Sequence, residues 1–238
     1  MAAKPTIDIV VPVFNEIGIL SGTLAEILPF AREHGVRFIF SDDGSTDGGI
    51  DVVRRAQAEY PEAVAWVRDE ANRGKGHALL KGFGACDADI LGFIDADLEI
   101  PLSDLKKGID RMIRGDEAIL IGTKVAVVAN RIRAYHRGLA SFFYNGLVRL
   151  ALRSHLPDHQ CGLKLFRREV WRILGPNMRE TGWAWDTEFL LRAQREGFSV
   201  GIFEVRLLRK RKSTVRFFSA CIAMLSAAPR MRPRGPAL

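Results

Sequence analysis

The sequence has few cysteines and no apolar run long enough to cross a membrane. Cys86, Cys161 and Cys221 are odd in number and scattered, which predicts a reducing compartment without a disulfide framework. The longest apolar run near the C-terminus, Phe217–Pro229, is shorter than the ~20 residues that span a bilayer. The stretch Met1–Glu16 lacks the small-residue cleavage site of a signal peptide. We therefore expect a cytoplasmic chain that does not cross a membrane by itself.

Acidic residues are missing from the C-terminal part of the chain. The net charge is +7, yet residues 1–205 hold 26 basic and 28 acidic residues, whereas residues 206–238 hold nine basic residues and no acid. Positive charge combined with large apolar side chains favours an anionic membrane surface over nucleic acid as the partner. We expect one domain over residues 1–212 and a basic amphipathic tail over residues 213–238, in peripheral contact with the membrane. A solvated basic tail is the alternative interpretation.

Short apolar, β-rich runs alternate with helical stretches through the first two thirds of the sequence. The pattern predicts strands at residues 6–14, 36–45, 63–69, 89–97 and 117–124, and helices at residues 17–34, 48–60 and 76–86. Beyond these, it predicts a helical stretch at 131–153, a turn and strand entering a helix at 158–170, and a helix at 183–197. This alternation predicts an α/β fold with a mostly parallel sheet flanked by helices.

Polar side chains stand at the carboxyl ends of three of the predicted strands. They come in pairs: Asn15 and Glu16, Asp42 and Asp43, Asp95 and Asp97. Ligands of open α/β sheets bind outside the carboxyl ends of the strands. The sequence therefore predicts one crevice in which the three pairs converge.

The pair Asp95 and Asp97 is a candidate metal site. The two residues are two positions apart, so both side chains face the same way if the backbone is extended. Carboxylate oxygens at this spacing can hold Mg²⁺ or Mn²⁺, which neutralises charge on a leaving diphosphate. A solvated strand end is the alternative interpretation of the same acids.

Three further groups have chemistry that suits a phosphorylated ligand. Asp42 and Asp43 can accept hydrogen bonds from a base and a ribose, although Asp and Gly also favour turns for backbone reasons. Lys75 stands near a predicted helix start, where it could meet an anion. Arg133 and Arg137 are one helical turn apart and could clamp a phosphate, or could belong to a solvated basic face.

Seven motifs occur in a fixed order, and together they resemble a known family. They are "VVPVFNE", "SDDGSTDGG", "NRGKGHALLKGF", "DADLEIP", "GTK", "DHQCGLKLF" and "GWAWDTEFLL". Over about residues 5–215 the chain resembles family 2 glycosyltransferases with the GT-A fold, in the branch of polyprenyl- and dolichyl-phosphate sugar transferases. Two features differ from relatives: "GTK" has lysine where arginine is frequent, and we expect none of the C-terminal transmembrane helices that some relatives carry.

The resemblance implies a role for particular residues. Asp95 and Asp97 take the place of the family's metal-binding D-x-D pair, whereas Glu99 receives no role. Arg133 and Arg137 match arginines that hold the acceptor phosphate. The residues implied at the nucleotide site or near the substrates are Pro12, Phe14, Glu16, Asp42, Asp43, Lys75 and Lys124.

The resemblance also implies a reaction. A hexose moves with inversion from UDP-glucose or GDP-mannose to a polyprenyl monophosphate at the cytoplasmic face of the membrane. A phosphate acceptor is already anionic at neutral pH and needs no strong general base. A glycan or small-molecule hydroxyl acceptor is the alternative, and it would need a base, for which Asp186 and Glu188 are candidates. A non-catalytic nucleotide-sugar-binding protein is the alternative of another class.

Overall fold

The computed structural model describes residues 4–124, 156 and 159–208. Its strands are β1 (Ile7–Val13), β2 (Val36–Asp42), β3 (Val64–Arg68), β4 (Ile90–Ile94), β5 (Ile119–Lys124), β6 (Leu163–Arg167) and β7 (Val200–Val205). Its α-helices are α1 (Ile17–His34), α2 (Gly49–Glu59), α3 (Lys75–Gly84), α4 (Leu102–Arg114), α5 (Arg168–Leu174) and α6 (Trp185–Arg195). A short 3-10 helix follows α5 at Gly175–Asn177.

The described strands form one sheet in the order β3-β2-β1-β4-β6-β5-β7. Strands β3, β2, β1 and β4 are parallel, and β6 runs antiparallel between β4 and β5. Strand β5 therefore points the same way as β4, and β7 pairs with it in parallel. The predicted α/β class and mostly parallel sheet are confirmed. Helix α4 and strand β7 were not predicted.

The central strands read as unbroken apolar runs because both faces of the sheet are covered by helices. In β1, Ile9 and Val11 pack into one hydrophobic cluster with α1, α2 and α4, while Val10 packs into the other with α3, α5 and α6. Successive side chains of a strand point to opposite faces, so one strand supplies both layers of the core. This double burial fixes the register of β1 and hence the place where it ends.

Aromatic side chains join the second face of the sheet to the start of α6. Trp185 stacks on Phe189 with ring centroids 5.2 Å apart and meets the Phe93 ring edge-on at 5.9 Å. Phe83 of α3 lies 5.0 Å from Phe166 of β6. Offset and edge-to-face pairs of this kind stabilise beyond their buried area, by roughly 0.5–1.5 kcal/mol each. The cluster holds α3 and α6 against the strands whose ends form the site.

Several predictions lie outside the described residues. They are the helical stretch at 131–153 with Arg133 and Arg137, the final cysteine Cys221, and the tail at 213–238. Among the described helices, none combines the length and apolar character that a membrane span requires.

Candidate active site

The loops that follow β1 and β2 are joined by hydrogen bonds, as the predicted convergence requires. The Asp43 N–H donates to the Val13 carbonyl (2.9 Å), and the Asn15 N–H donates to the Ser45 hydroxyl (2.8 Å). The Asn15 side chain in turn accepts the Thr46 N–H (2.9 Å). Asn15 has φ 53°, a left-handed conformation that asparagine tolerates better than most residues. The ends of β1 and β2 therefore form one rigid edge.

Asp42 and Asp43 have different surroundings although they are neighbours. The Asp42 side chain is fully buried, where it accepts the Ser45 N–H (3.1 Å) and pairs with the Arg68 guanidinium (3.1 Å). These contacts favour the turn interpretation of Asp42 over direct contact with a nucleotide. Asp43 accepts the N–H groups of Arg73 (2.9 Å) and Gly74 (2.7 Å), which anchors the loop leading into α3. Burial raises the pKa of Asp43, and these two hydrogen bonds offset it only in part.

A cluster around Asp69 was not predicted. Asp69 pairs with His77 Nδ1 (3.0 Å) and accepts from the Lys81 ammonium (2.8 Å). Within the described ranges, Asp43, Asp69 and His77 are the one group of at least three potential ligands whose atoms all lie within 4.8 Å of one another. Burial raises the pKa of Asp69, but Lys81 and His77 outweigh it and the net pKa is lowered. No sequence motif marks this cluster. It forms because α3, which carries His77 and Lys81, packs beside the end of β3, which Asp69 follows.

Lys75, the first residue of α3, reaches the D-x-D pair. Its ammonium lies 2.5 Å from Asp95 Oδ1, 5.1 Å from the centroid of the Phe93 ring and 5.4 Å from that of Trp183. Burial lowers the pKa of Lys75, but the charges of Asp95 and Asp186 outweigh it and the net pKa is raised. Lys75 is therefore a firmly protonated cation at the predicted metal site.

The D-x-D segment lies in a turn, so the expectation of extended backbone there was wrong. Strand β4 ends at Ile94, and the Leu98 N–H closes the turn onto the Asp95 carbonyl (3.1 Å), with Leu98 at φ 46°. Asp97 accepts the Glu99 N–H (3.2 Å). Burial raises the pKa of Asp97, and the negative charges of Asp95 and Glu16 add to this. The turn thus brings acids of β1 and β4 near one another.

A small recess opens beside this turn. Asp95, Asp97, Glu99 and Gly162 all line it. The family resemblance gave Glu99 no role, although its spacing of two positions from Asp97 and four from Asp95 could have indicated that it lies near them. An oxygen-only donor set of carboxylates suits Mg²⁺ or Mn²⁺, so the residues present fit such an ion. No third His, Cys, Asp or Glu of the described residues gathers within 4.8 Å of both aspartates, however.

Asp186 and Glu188, the candidate bases, are both buried in ion pairs. Asp186 Oδ1 lies 2.5 Å from the ammonium of Lys164, a lysine with no exposed side-chain surface. Glu188 accepts the N–H groups of Arg179 (2.9 Å) and Glu180 (2.8 Å) and pairs with a guanidinium one turn further along α6. Both carboxylates are therefore engaged with cationic groups inside the fold.

The remaining predicted residues stand at the same edge of the sheet. Pro12 lies next to the end of β1, and Phe14 follows that strand with 43% of its surface exposed. Lys124 is the last residue of β5, whose carboxyl end faces the same edge as that of β4. Arg133 and Arg137 lie outside the described residues.

Comparison with known proteins agrees with this geometry. Residues 8–174 match the sequence profile described as Glycosyl transferase family 2. The chain is 35% identical over 208 residues to glycosyltransferase AglD of Haloferax volcanii, covering 86% of this chain and 33% of that protein. It is 26% identical over 242 residues to a dolichyl-phosphate beta-glucosyltransferase of Dictyostelium discoideum, covering 96% of this chain and 74% of that protein.

Two further similarities complete the comparison. The chain is 28% identical over 166 residues to an undecaprenyl-phosphate 4-deoxy-4-formamido-L-arabinose transferase of Aeromonas hydrophila, covering 69% of this chain and 49% of that protein. A solved structure of glucosyl-3-phosphoglycerate synthase from Mycobacterium tuberculosis, in complex with Mn²⁺, UDP and phosphoglyceric acid, has a TM-score of 0.72 at 18% identity, covering 97% of this chain and 80% of that one. It confirms the predicted glycosyltransferase fold. The chain spans between a third and three quarters of the length of the three curated relatives.

Proposed function

The chain belongs to glycosyl transferase family 2, and we propose that it transfers a hexose from a nucleotide sugar to a polyprenyl monophosphate. The observation that carries the proposal is the edge of the sheet at which Lys75, Asp95 and Asp97 meet. Relatives named for transfer to dolichyl and undecaprenyl phosphate support this acceptor class.

The donor is proposed to bind across the ends of β1, β2 and β4. Pro12, Phe14 and Asp43 border the place for the nucleoside, and Lys75 borders the place for the diphosphate. We favour UDP-glucose over GDP-mannose, because a relative is named a glucosyltransferase and the structurally similar synthase was crystallised with UDP.

Asp95 and Asp97 are the proposed ligands of a divalent metal, Mg²⁺ or Mn²⁺. Bound there, the ion would supply positive charge next to the departing diphosphate. Mn²⁺ in the complex of the structurally similar synthase supports this choice of ligand chemistry. Glu16 and Glu99 add negative charge around the same turn, which favours a cation over an anion there.

A phosphate acceptor, which needs no general base, is consistent with the burial and ion pairing of the two candidate bases. Asp186 and Glu188 are already ion-paired and buried, so neither is free to remove a proton from a hydroxyl acceptor. A phosphate oxygen is anionic without such help and can attack the anomeric carbon directly as the nucleotide diphosphate departs, which inverts that carbon. Arg133 and Arg137 are proposed to hold the acceptor phosphate through forked hydrogen bonds.

Membrane contact is proposed to be peripheral. The cationic tail at residues 213–238 and the arginine-rich apolar stretch at 131–153 would bring the catalytic domain to an anionic surface that carries the lipid acceptor. The cytoplasmic face is the proposed side, because both cysteines of the described residues, Cys86 and Cys161, are free thiols, as is usual in a reducing compartment.

The full chain, incubated with UDP-glucose or GDP-mannose, Mn²⁺ and a short-chain polyprenyl phosphate, tests the proposal by mass spectrometry of the lipid product. A parallel panel of sugars and sugar alcohols tests hydroxyl acceptors. We expect a polyprenyl phosphohexose and no glycosylated alcohol. Transfer to the alcohols alone would support the hydroxyl-acceptor alternative, and nucleotide-sugar binding without any turnover would support a non-catalytic protein.

A further inference from the structure

The Lys75 ammonium contacts the carboxylate of Asp95, one of the two proposed metal ligands. It contacts Oδ1 of that carboxylate at 2.5 Å, and only 13% of the lysine side chain is exposed. We propose that Lys75 is an internal counter-ion that occupies Asp95 in the nucleotide-free protein, and that it moves onto the donor diphosphate when a divalent metal binds. The inference rests on the proposed function, because it assumes a diphosphate donor at this edge.

The other oxygen of Asp95 lies close to Gly162 on one side. Gly162 approaches it so closely that a Cβ on this glycine would overlap with Asp95 Oδ2. One oxygen therefore faces an ammonium, and the other faces the backbone of the loop before β6. The Asp95 side chain is still 42% exposed and lines the recess beside the turn, so a cation can approach it from solvent, but Oδ1 becomes a metal ligand only when Lys75 moves.

The glycine loop is the fixed neighbour. The buried Lys164 ammonium donates to the carbonyls of His159 (3.0 Å) and Cys161 (2.9 Å) as well as to Asp186. Two of these hydrogen bonds thus hold carbonyls just before Gly162, and the third ties the same ammonium to α6. Within the described residues, the Lys75 ammonium donates one hydrogen bond, to Asp95, and it stands on a flexible four-carbon stem, so Lys75 is the neighbour that can move.

The surroundings of Lys75 suit a cation that changes partner. Its ammonium lies near the faces of Phe93 and Trp183, which attract a cation without a directional bond. Trp183 is 37% exposed, so this side of the ammonium borders solvent. A diphosphate arriving from solvent offers Lys75 a stronger anionic partner than the single carboxylate, and the position of Lys75 at the start of α3 adds to this attraction.

Movement of Lys75 from Asp95 to the diphosphate couples the binding of metal to the binding of nucleotide. Without a nucleotide, a metal must displace Lys75 and remain beside its positive charge. With a diphosphate, Lys75 has a new partner and Asp95 is open. Metal and nucleotide must therefore strengthen each other's binding by the same factor.

Binding of Mn²⁺ to the nucleotide-free full chain, measured from the electron paramagnetic resonance signal of free Mn²⁺, tests the inference without any transfer assay. We expect Lys75→Gln to bind Mn²⁺ at least about tenfold more tightly than the wild type, since it removes a competing charge within a few ångströms. Lys75→Arg keeps the charge and should stay near the wild-type affinity. Lys106→Gln removes a lysine of α4 that pairs with Asp110, and should change nothing.

The coupling provides a second readout. UDP should raise the Mn²⁺ affinity of the wild type, and by a clearly smaller factor in Lys75→Gln. Equal or weaker Mn²⁺ binding by a folded Lys75→Gln variant, or no binding by either protein, would overturn the inference. Absence of transfer by the wild type, with tighter Mn²⁺ binding by Lys75→Gln, would instead refute the proposed function and leave the counter-ion role standing.

Discussion

The ammonium of Lys164 lies 2.5 Å from Oδ1 of Asp186, and both side chains are buried. The pair joins β6 to the first turn of α6, and the same ammonium holds the carbonyls of His159 and Cys161. A buried charge that loses its partner is costly, whereas a buried pair replaced as a whole by apolar groups is not. This pair therefore positions the loop that borders Asp95, and its two halves depend on each other.

Replacing one half of the pair should destabilise the protein. We expect Lys164→Met to lower the free energy of unfolding by about 3–5 kcal/mol, because Asp186 is left buried and unpaired. Urea unfolding followed by circular dichroism measures this. The double variant Lys164→Met with Asp186→Leu should recover most of the loss. Lys106→Met, which breaks a partly exposed pair, should cost less than about 1 kcal/mol. A loss at Lys164 as small as that at Lys106 would contradict the positioning role.

A side chain at Gly162 should disturb the metal site more than the fold. The added Cβ of Gly162→Ala would overlap with Asp95 Oδ2, so the carboxylate must turn away. We expect sugar transfer to fall about tenfold to a hundredfold, as small misplacements of catalytic groups do. Gly22→Ala in α1 is the matched control, because nothing lies within 4 Å of its added Cβ. Full transfer activity in Gly162→Ala would mean that the position of the Asp95 carboxylate beside Gly162 is not needed for transfer.

The contribution of Asp104 to stability should depend on pH. Burial raises the pKa of Asp104, but hydrogen bonds from Lys107 and Arg206 outweigh it and the net pKa is lowered. A carboxyl with a lowered folded pKa stabilises the protein above its unfolded pKa of about 3.9, and this stability is lost as the pH falls through the folded value. Asp104→Asn should therefore be less stable than the wild type at pH 7, and the difference should shrink below about pH 4. Urea unfolding at several pH values measures it, and a difference that grows at low pH would contradict the sign.

Much of the sheet was predictable because its strands are buried on both faces. Strands β1 to β5 read as short apolar runs, and their observed bounds fall within two or three residues of the predicted ones. Strand β7 is half-buried and lies at the edge of the sheet, so its pattern is weaker. The sequence does contain a pattern that predicts helix α4, because Leu105, Ile109 and Met112 recur at helical spacing on its buried face.

The site was predictable in its residues but not in its contacts. The positions of Asp43, Asp95 and Asp97 after strands follow from the order of elements. The ion pair of Lys75 with Asp95 spans twenty positions and depends on how α3 packs across β1 and β2, which no local pattern encodes. The turn at Asp95 also departs from the extended backbone that the strand pattern indicated, because Leu98 takes a left-handed conformation.

Membrane contact of the full chain should be electrostatic. We expect co-sedimentation with vesicles that contain anionic phospholipid at low salt, and release at high salt, because exposed charges are screened. Neutral vesicles are the control for the apolar part of the interaction. Exchanging Arg230, Arg232 and Arg234 for Gln should weaken the low-salt binding. Failure to co-sediment at either salt concentration would remove peripheral membrane contact from the proposal.

Formation of a polyprenyl phosphohexose by Asp95→Asn is the measurement that tests the proposed active site most directly. We expect this variant to unfold at nearly the wild-type temperature and to lose at least about a hundredfold in transfer rate, because the charge that holds the metal beside the diphosphate is gone. Asp110→Asn removes the same charge from a partly exposed ion pair with Lys106 on α4, outside the proposed site, and should keep the wild-type rate. Transfer by a folded Asp95→Asn at the wild-type rate would contradict the assignment of this edge of the sheet as the active site.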